Sequence, residues 1–325
     1  MKKISLLKKH QTRTLRPDRL STSSHCTIIS VSTLQTLYVL ILYFSISIES
    51  SMSTSPSLLV APSKAELPPV LCNSIVKIAS EAISKNGMFS IALSGGSLPK
   101  FLVYLPQAFE QQGLEPNWDS WHVFLADERC VPIDHEDSNL KSINTHFLDK
   151  VGVPKSQIYG IDAELTDKLE ASAEKEAITK EISDKYETVL KTVLPAPHTL
   201  DLAVLGFGPD GHTCSLFPGH ALLKEMNTFV APIVDSPKPP PCRITLTLGF
   251  LNEHTEHIIV CGAGASKNPI IQAVFDFGDS DEKKEDAACL LPKLASPPPY
   301  PCSMVTPQKS LTWVVDADAM VGESK

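Results

Sequence analysis

The 325 residues carry a net charge of −8, with 42% hydrophobic and 20% charged positions, enough apolar material for a sizeable core and the polarity of an ordinary soluble protein. Residues 1–50 hold a net +5, so the rest of the chain carries −13, with no basic stripe of the kind nucleic acid requires. An anionic small molecule would therefore have to be held by local positive groups.

In chain order, residues 1–51 read as a disordered leader, rich in Lys/Arg and Ser/Thr and nearly free of acid. Their apolar run, Leu37–Ile48, is too short for a comfortable membrane span, and no stable membrane association is expected. Two readings stand: an organelle transit segment, or a non-native extension before a start at Met52. Residues 52–325 are expected to form a single catalytic domain.

From Ser63 the pattern alternates helix and strand. Leu71, Ile75, Ile78, Ala79 and Ala82 recur at helical spacing and Asn86-Gly87 supplies a stop. Met88–Leu93 reads as a buried strand running into Ser94-Gly95-Gly96-Ser97, after which Leu98-Pro99 opens a helix. Strand, glycine turn and helix start can aim backbone N–H groups at an anion, although a Gly-Gly turn is often only a turn. Trp121–Ala126 is a second strand, ending in Asp127-Glu128-Arg129, which reads either as a solvated strand end or as groups presented at the same sheet edge. Ser138-Asn139 starts a helical stretch through Val151, and Lys168–Lys191 reads as one polar helix ended by Pro195 and Pro197.

Leu202–Leu205 is a strand buried on both faces, broken by Gly206, Gly208, Pro209 and Gly211. That turn delivers Asp210 and His212 at the carboxyl end of the strand, where open α/β sheets bind ligands; the bland alternative is a packed histidine. Cys214 reads as a small buried residue starting a helix rather than as a nucleophile. Arg243–Leu248 alternates as a strand after the proline-rich SPKPPPC, which either sets Arg243 in a defined place or is a rigid connector. His257–Cys261 is a further buried strand, ending in GAGAS and Lys267 before a helix over Asn268–Phe275. Asp276–Asp286 reads as acidic and mobile, Ser296–Pro301 as a loop and Trp313–Asp316 as the last strand.

The expected fold class is therefore α/β, a mainly parallel sheet flanked by helices. Eight cysteines with no Cys-x-x-Cys pair and no His/Cys cluster at zinc spacing predict reduced thiols, no disulfide framework and no metal. The residues by themselves suggest acid/base chemistry on a phosphorylated small molecule.

From about Ser63 to Asp316 the chain resembles the 6-phosphogluconolactonases. The resemblance rests on SGGSLP at Ser94–Pro99, DERCVPIDHEDSN at Asp127–Asn139, LGFGPDGHTCSLFPGH at Leu205–His220, VAPIVDSPKPPPCRITLTL at Val230–Leu248 and WVVD at Trp313–Asp316. The DGHTCSLFP and DSPKPPP blocks are especially similar to those of the animal-type, single-domain cytosolic enzymes. The resemblance implies the fold shared with glucosamine-6-phosphate deaminase and ribose-5-phosphate isomerase, and hydrolysis of 6-phospho-D-glucono-1,5-lactone in the oxidative pentose phosphate pathway. It implies His212 as general base, supported by Asp210, with Arg129 and Asp127 at the reacting end of the substrate. Substrate phosphate would sit on Ser94, Gly95, Gly96 and Ser97, with Arg243 and Lys267 as charged partners. It implies no cofactor, no nucleic-acid partner, a monomer or small homo-oligomer, and a cytoplasmic location unless residues 1–51 direct organelle import.

The family usually sets its lysine in a more compact glycine turn than GAGASK. Two rivals follow from the same fold. A deaminase of glucosamine-6-phosphate shares the Asp-Gly-His element but matches the Asp127–Asn139 and proline-rich blocks less well. A sugar-phosphate-sensing module of a transcription regulator would need a DNA-binding segment that is not recognisable here.

Overall fold

The structure is a computed structural model and describes residues 56–277 and 289–321. The leader, and most of the acidic Asp276–Asp286 stretch, lie outside the described residues. Those described fall within one unit, Thr54–Lys325. In chain order the strands are Ser57–Ala61 (β1), Phe89–Leu93 (β2), Trp121–Leu125 (β3), Asp127–Arg129 (β4), Leu200–Gly206 (β5), Val230–Ile233 (β6), Arg243–Leu246 (β7), Thr255–Gly262 (β8), the short pieces Phe275–Asp276 (β9), Cys289–Leu290 (β10) and Lys293–Leu294 (β11), and Ser310–Asp316 (β12).

The main sheet has the order β10-β1-β12-β8-β5-β2-β3. Every pairing in it is parallel except that of β10, which runs antiparallel to β1 at the edge. All five residues of β2 and the first six of β5 are buried, as expected of parallel strands covered on both faces. β2 leads outward to β3, whereas β5 leads the other way to β8, so the loops after β2 and β5 diverge and leave a crevice at their carboxyl ends. A three-stranded antiparallel sheet, β4-β7-β6, stands beside it, with helix Lys175–Val193 packed on β6.

Local chemistry explains most element ends. Helix Leu67–Asn86 buries Leu71, Ile75, Ala79 and Ala82 of the expected face, with Ile78 half-buried at its margin, and it stops at Gly87, whose N–H still reaches the Ile83 carbonyl and whose φ of 74° then turns the chain out of the helix. It starts a turn earlier than the apolar spacing suggested, with prolines in its first turn where no N–H partner is needed. The helix expected from Leu98 is only Leu98–Phe101, then a 3₁₀ turn, then Leu105–Gln111. Pro106 has no N–H to give the Leu102 carbonyl, so the continuous ladder is broken there.

The single helix expected over Lys168–Lys191 is two, Ala163–Ala171 and Lys175–Val193. Between them the Ser172 hydroxyl accepts the Glu174 N–H at 2.9 Å, a local bond that competes with the helix. The helix from Asn139 ends at His146, short of Val151. The strand at Arg243 ends at Leu246, because the Thr247 hydroxyl accepts the Phe250 N–H at 3.1 Å and caps helix Leu248–Glu253. Strand β1 was not foreseen; its five residues take their place from pairing with β12.

Candidate active site

The turn after β2 is built by its glycines. A Cβ on Gly95 would lie 1.9 Å from Asn139 Oδ1, and Gly96 has φ +71°. Among the described residues no carbonyl accepts from the Gly95, Gly96 or Ser97 amides, and the Ser94 hydroxyl is buried without a partner. With only four residues in the helix that follows, the amides themselves, rather than a long helix dipole, are what the turn offers an anion. Asn139 cannot easily yield, since its Nδ2 donates to the Asp127 carbonyl at 2.9 Å. Gly95→Ala is therefore expected to cost about 1–3 kcal/mol in a urea titration. It should also raise KM more than it lowers kcat; an unchanged midpoint and KM would show that the turn has room to spare.

Asp127-Glu128-Arg129 is not a solvated strand end but the strand β4. Glu128 is 2% exposed and accepts the backbone N–H groups of Asn139 and Leu140, both at 2.8 Å, and of Arg129 at 2.7 Å. Burial pushes its carboxyl up to about 7, with the three amides pulling the other way. It pins the start of helix Asn139–His146, and with it Asn139. Asp127 accepts from the Ser215 hydroxyl at 2.8 Å.

Arg129 and Arg243 are directly opposite each other in the β4–β7 register and so share a face. Arg129 Nη1 donates to the Asp137 carbonyl at 2.8 Å, and its Nε is buried without a partner. Arg243 is 3% exposed and largely committed: Nε donates to Pro240 O at 3.0 Å, and Nη2 to the Lys238 and Pro239 carbonyls at 2.9 Å. Burial, and then the charge of Arg129, lower its pKa.

The loop after β5 closes on itself through Gly208 N–H to the His212 carbonyl and Gly211 N–H to the Gly208 carbonyl. A Cβ on Gly208 would lie 2.1 Å from the His212 ring, so only glycine leaves the imidazole its place against this turn. His212 Nδ1 is hydrogen-bonded to Asp210 Oδ1. A carboxylate has no proton to give, so Nδ1 carries the hydrogen and Nε2 keeps its lone pair. Burial lowers the His212 pKa, against the Asp210 carboxylate, which raises it, and with Lys238, which lowers it further. Burial alone would raise the Asp210 carboxyl, but bonds from His212 and Lys238 bring it down to about 2. Cys214 starts no helix: it is held at φ 50° in a tight turn bridged from Phe207 to Thr213 and from Thr213 to Leu216. Burial and the nearby Asp127 push its thiol well above the usual range, as its inert reading requires.

The two glycines of GAGASK do different work. A Cβ on Gly262 would lie 2.3 Å from the Phe207 ring, whereas Gly264, at φ +92°, turns the chain while its N–H donates to Asp316 at 2.8 Å. Lys267 then reaches back, its ammonium donating to the Phe207 carbonyl. Burial, then the charge of Lys238, lower its pKa.

Ser94, Gly95, Gly96, Ser97, Asp127, Arg129, His212, Arg243 and Lys267 line one cleft of about 220 Å³, at the crevice between β2 and β5. Asp210 stands behind His212, outside that lining. The sequence reading missed Glu128, Asn139, Ser215 and Lys238. The last was legible only as a lysine framed by prolines, and its ammonium lies 3.0 Å from both Asp210 Oδ2 and His212 Nδ1.

A family model described as glucosamine-6-phosphate isomerases/6-phosphogluconolactonase matches residues 62–313. The chain belongs to this family. Among its relatives in the family is a probable 6-phosphogluconolactonase 3, chloroplastic, of Oryza sativa subsp. indica, 39% identical over 264 residues, 81% of this chain and 75% of the relative. The 6-phosphogluconolactonase of Rattus norvegicus is 37% identical over 263 residues, 80% of this chain and 91% of the relative. A solved 6-phosphogluconolactonase from Trypanosoma cruzi superposes with a TM-score of 0.65 at 26% identity, covering 82% of this chain and 97% of that one. The mainly parallel sheet flanked by helices is thus the family's fold. Among the described residues no helix is long and apolar enough to cross a membrane.

Proposed function

We propose that this member of the family hydrolyses 6-phospho-D-glucono-1,5-lactone to 6-phospho-D-gluconate, the second step of the oxidative pentose phosphate pathway, with His212 as general base. The observation that carries the reading is the meeting of the His212–Asp210 pair with the amides of Gly95, Gly96 and Ser97 and two arginines in one cleft.

Nε2 takes a proton from water as its oxygen bonds to the C1 carbonyl carbon. When the bond from C1 to the ring oxygen breaks, the imidazolium returns that proton to the departing oxygen. Asp210 keeps the imidazole oriented and supports its positive charge. Arg129, with its unpartnered Nε, and Asp127 serve the reacting end. The phosphate sits on the glycine turn, with Ser94 and Ser97 hydroxyls and Lys267 beside it. Arg243 adds its charge from behind, most of its N–H groups being taken. These cations offset the unfavourable field of an acidic protein. The proposed location is the cytoplasm; a mature N-terminus determined by mass spectrometry in an organelle fraction would replace that with import.

The test is incubation with each sugar phosphate. Acid release from the lactone above its spontaneous rate supports the reading, and ammonia from glucosamine-6-phosphate overturns it. Because burial lowers the His212 pKa, the neutral base persists below the usual imidazole range. Activity is then lost only as pH falls through that lowered value, so the acidic limb of kcat/KM is expected below pH 6.5, the ordinary imidazole value. A limb above it would contradict the assignment.

A further inference from the structure

Lys238 lies 26 residues beyond His212 in sequence, on the loop between β6 and β7, yet its ammonium pairs with Asp210 Oδ2 at 3.0 Å and lies 3.0 Å from His212 Nδ1, where, facing an N–H, it acts by its charge and not by a hydrogen bond. The loop that carries it is held in place. The Ser236 hydroxyl donates to the Lys238 carbonyl at 2.8 Å and accepts the Lys238 N–H at 3.2 Å. Arg243 donates to the carbonyls of Lys238, Pro239 and Pro240 in turn. Such a mount serves to aim a side chain, which a solvated surface lysine does not need.

We propose that Lys238 is a positioning residue for the His212–Asp210 pair: it takes the second oxygen of Asp210, so that the first stays on Nδ1, and it offsets the carboxylate's charge so that the imidazole remains a neutral base. The proposal rests on His212 being the base. An Asp210 with no cation beside it would draw the imidazole toward its protonated form, which cannot accept a proton from water. The charged groups acting on His212 are Asp210 on its own loop, Lys238 on the proline-rich loop and Asp127 on β4, and Lys267 in turn acts on Asp210 and Lys238. With Lys238 removed, the charges left acting on His212 are the two carboxylates, both of which favour its protonated form against burial.

The experiment compares wild type, Lys238→Met and Lys238→Arg, each checked for a normal melting curve. Two readouts are taken: the pH profile of kcat/KM for the lactone, and an NMR titration of the His212 Cε1 proton without substrate. Lys238→Met is expected to move both midpoints to higher pH, so that kcat/KM falls by about threefold to tenfold more at pH 6 than at pH 8, with KM at pH 8 little changed. Lys238→Arg, which keeps the charge, restores both midpoints. Unmoved midpoints overturn the proposal: a raised KM alone would make Lys238 a substrate contact, and a uniform fall in kcat would make it merely a part of the loop. If wild type hydrolyses no lactone, the proposed function falls, while the NMR titration still decides what Lys238 does to His212.

Discussion

His212→Ala is expected to lower kcat by about 10²–10⁴-fold, the usual worth of a positioned general base, while leaving the melting temperature within a few degrees of wild type. The ring sits at a loop end on Gly208, with Phe217 at 5.1 Å, rather than among the sheet's core side chains. The loop closes through backbone bonds of Gly208, Gly211 and the His212 carbonyl, none of which needs the imidazole. Asp210 keeps its ion pair with Lys238 at 3.0 Å, so the deletion strands no charge. Stability by thermal melting and turnover with the spontaneous hydrolysis subtracted decide the matter. An unfolded variant, or one with near-normal kcat, sinks the assignment.

Arg243→Ala is expected to destabilise the protein by about 2–4 kcal/mol and to reduce kcat as well as affinity. A residue that only met phosphate would give a different pattern: a raised KM, an unchanged kcat and an unchanged unfolding midpoint. The geometry favours the larger effect, because truncation takes the donor from three carbonyls at once and leaves the loop that carries Lys238 without its clamp. It also removes a cation from the neighbourhood of the buried Asp127. Arg243→Lys should recover only part of the loss, since an ammonium cannot span three carbonyls as a planar fork does. Urea titration together with kcat and KM separates the two patterns, and a pure KM effect would return Arg243 to a phosphate contact alone.

Signals that act over a few residues were legible in advance. The apolar runs of β2, β5 and β8 marked strands buried on both faces, Gly87 marked a helix end, and the glycine-framed Asp210-Gly211-His212 announced a turn that presents side chains. Each depends on short-range free energies: burial of contiguous apolar side chains, the freedom of glycine at positive φ, the missing N–H of proline. Where competing local bonds were at stake, as at Ser172 and Thr247, the same reasoning overran the element ends.

Chain chemistry alone thus determined an alternating α/β protein with a glycine turn and a histidine turn at strand ends, and the family motifs determined which catalytic roles to look for. Only the tertiary structure decided that Asp127-Glu128-Arg129 is a strand of a second sheet, that Arg243 faces Arg129 and clamps a loop, and that Lys238 stands against His212 and Asp210. Those facts rest on register between segments more than a hundred residues apart and on a loop folded back over the cleft. Their free energies come from pairings that no local window of sequence contains.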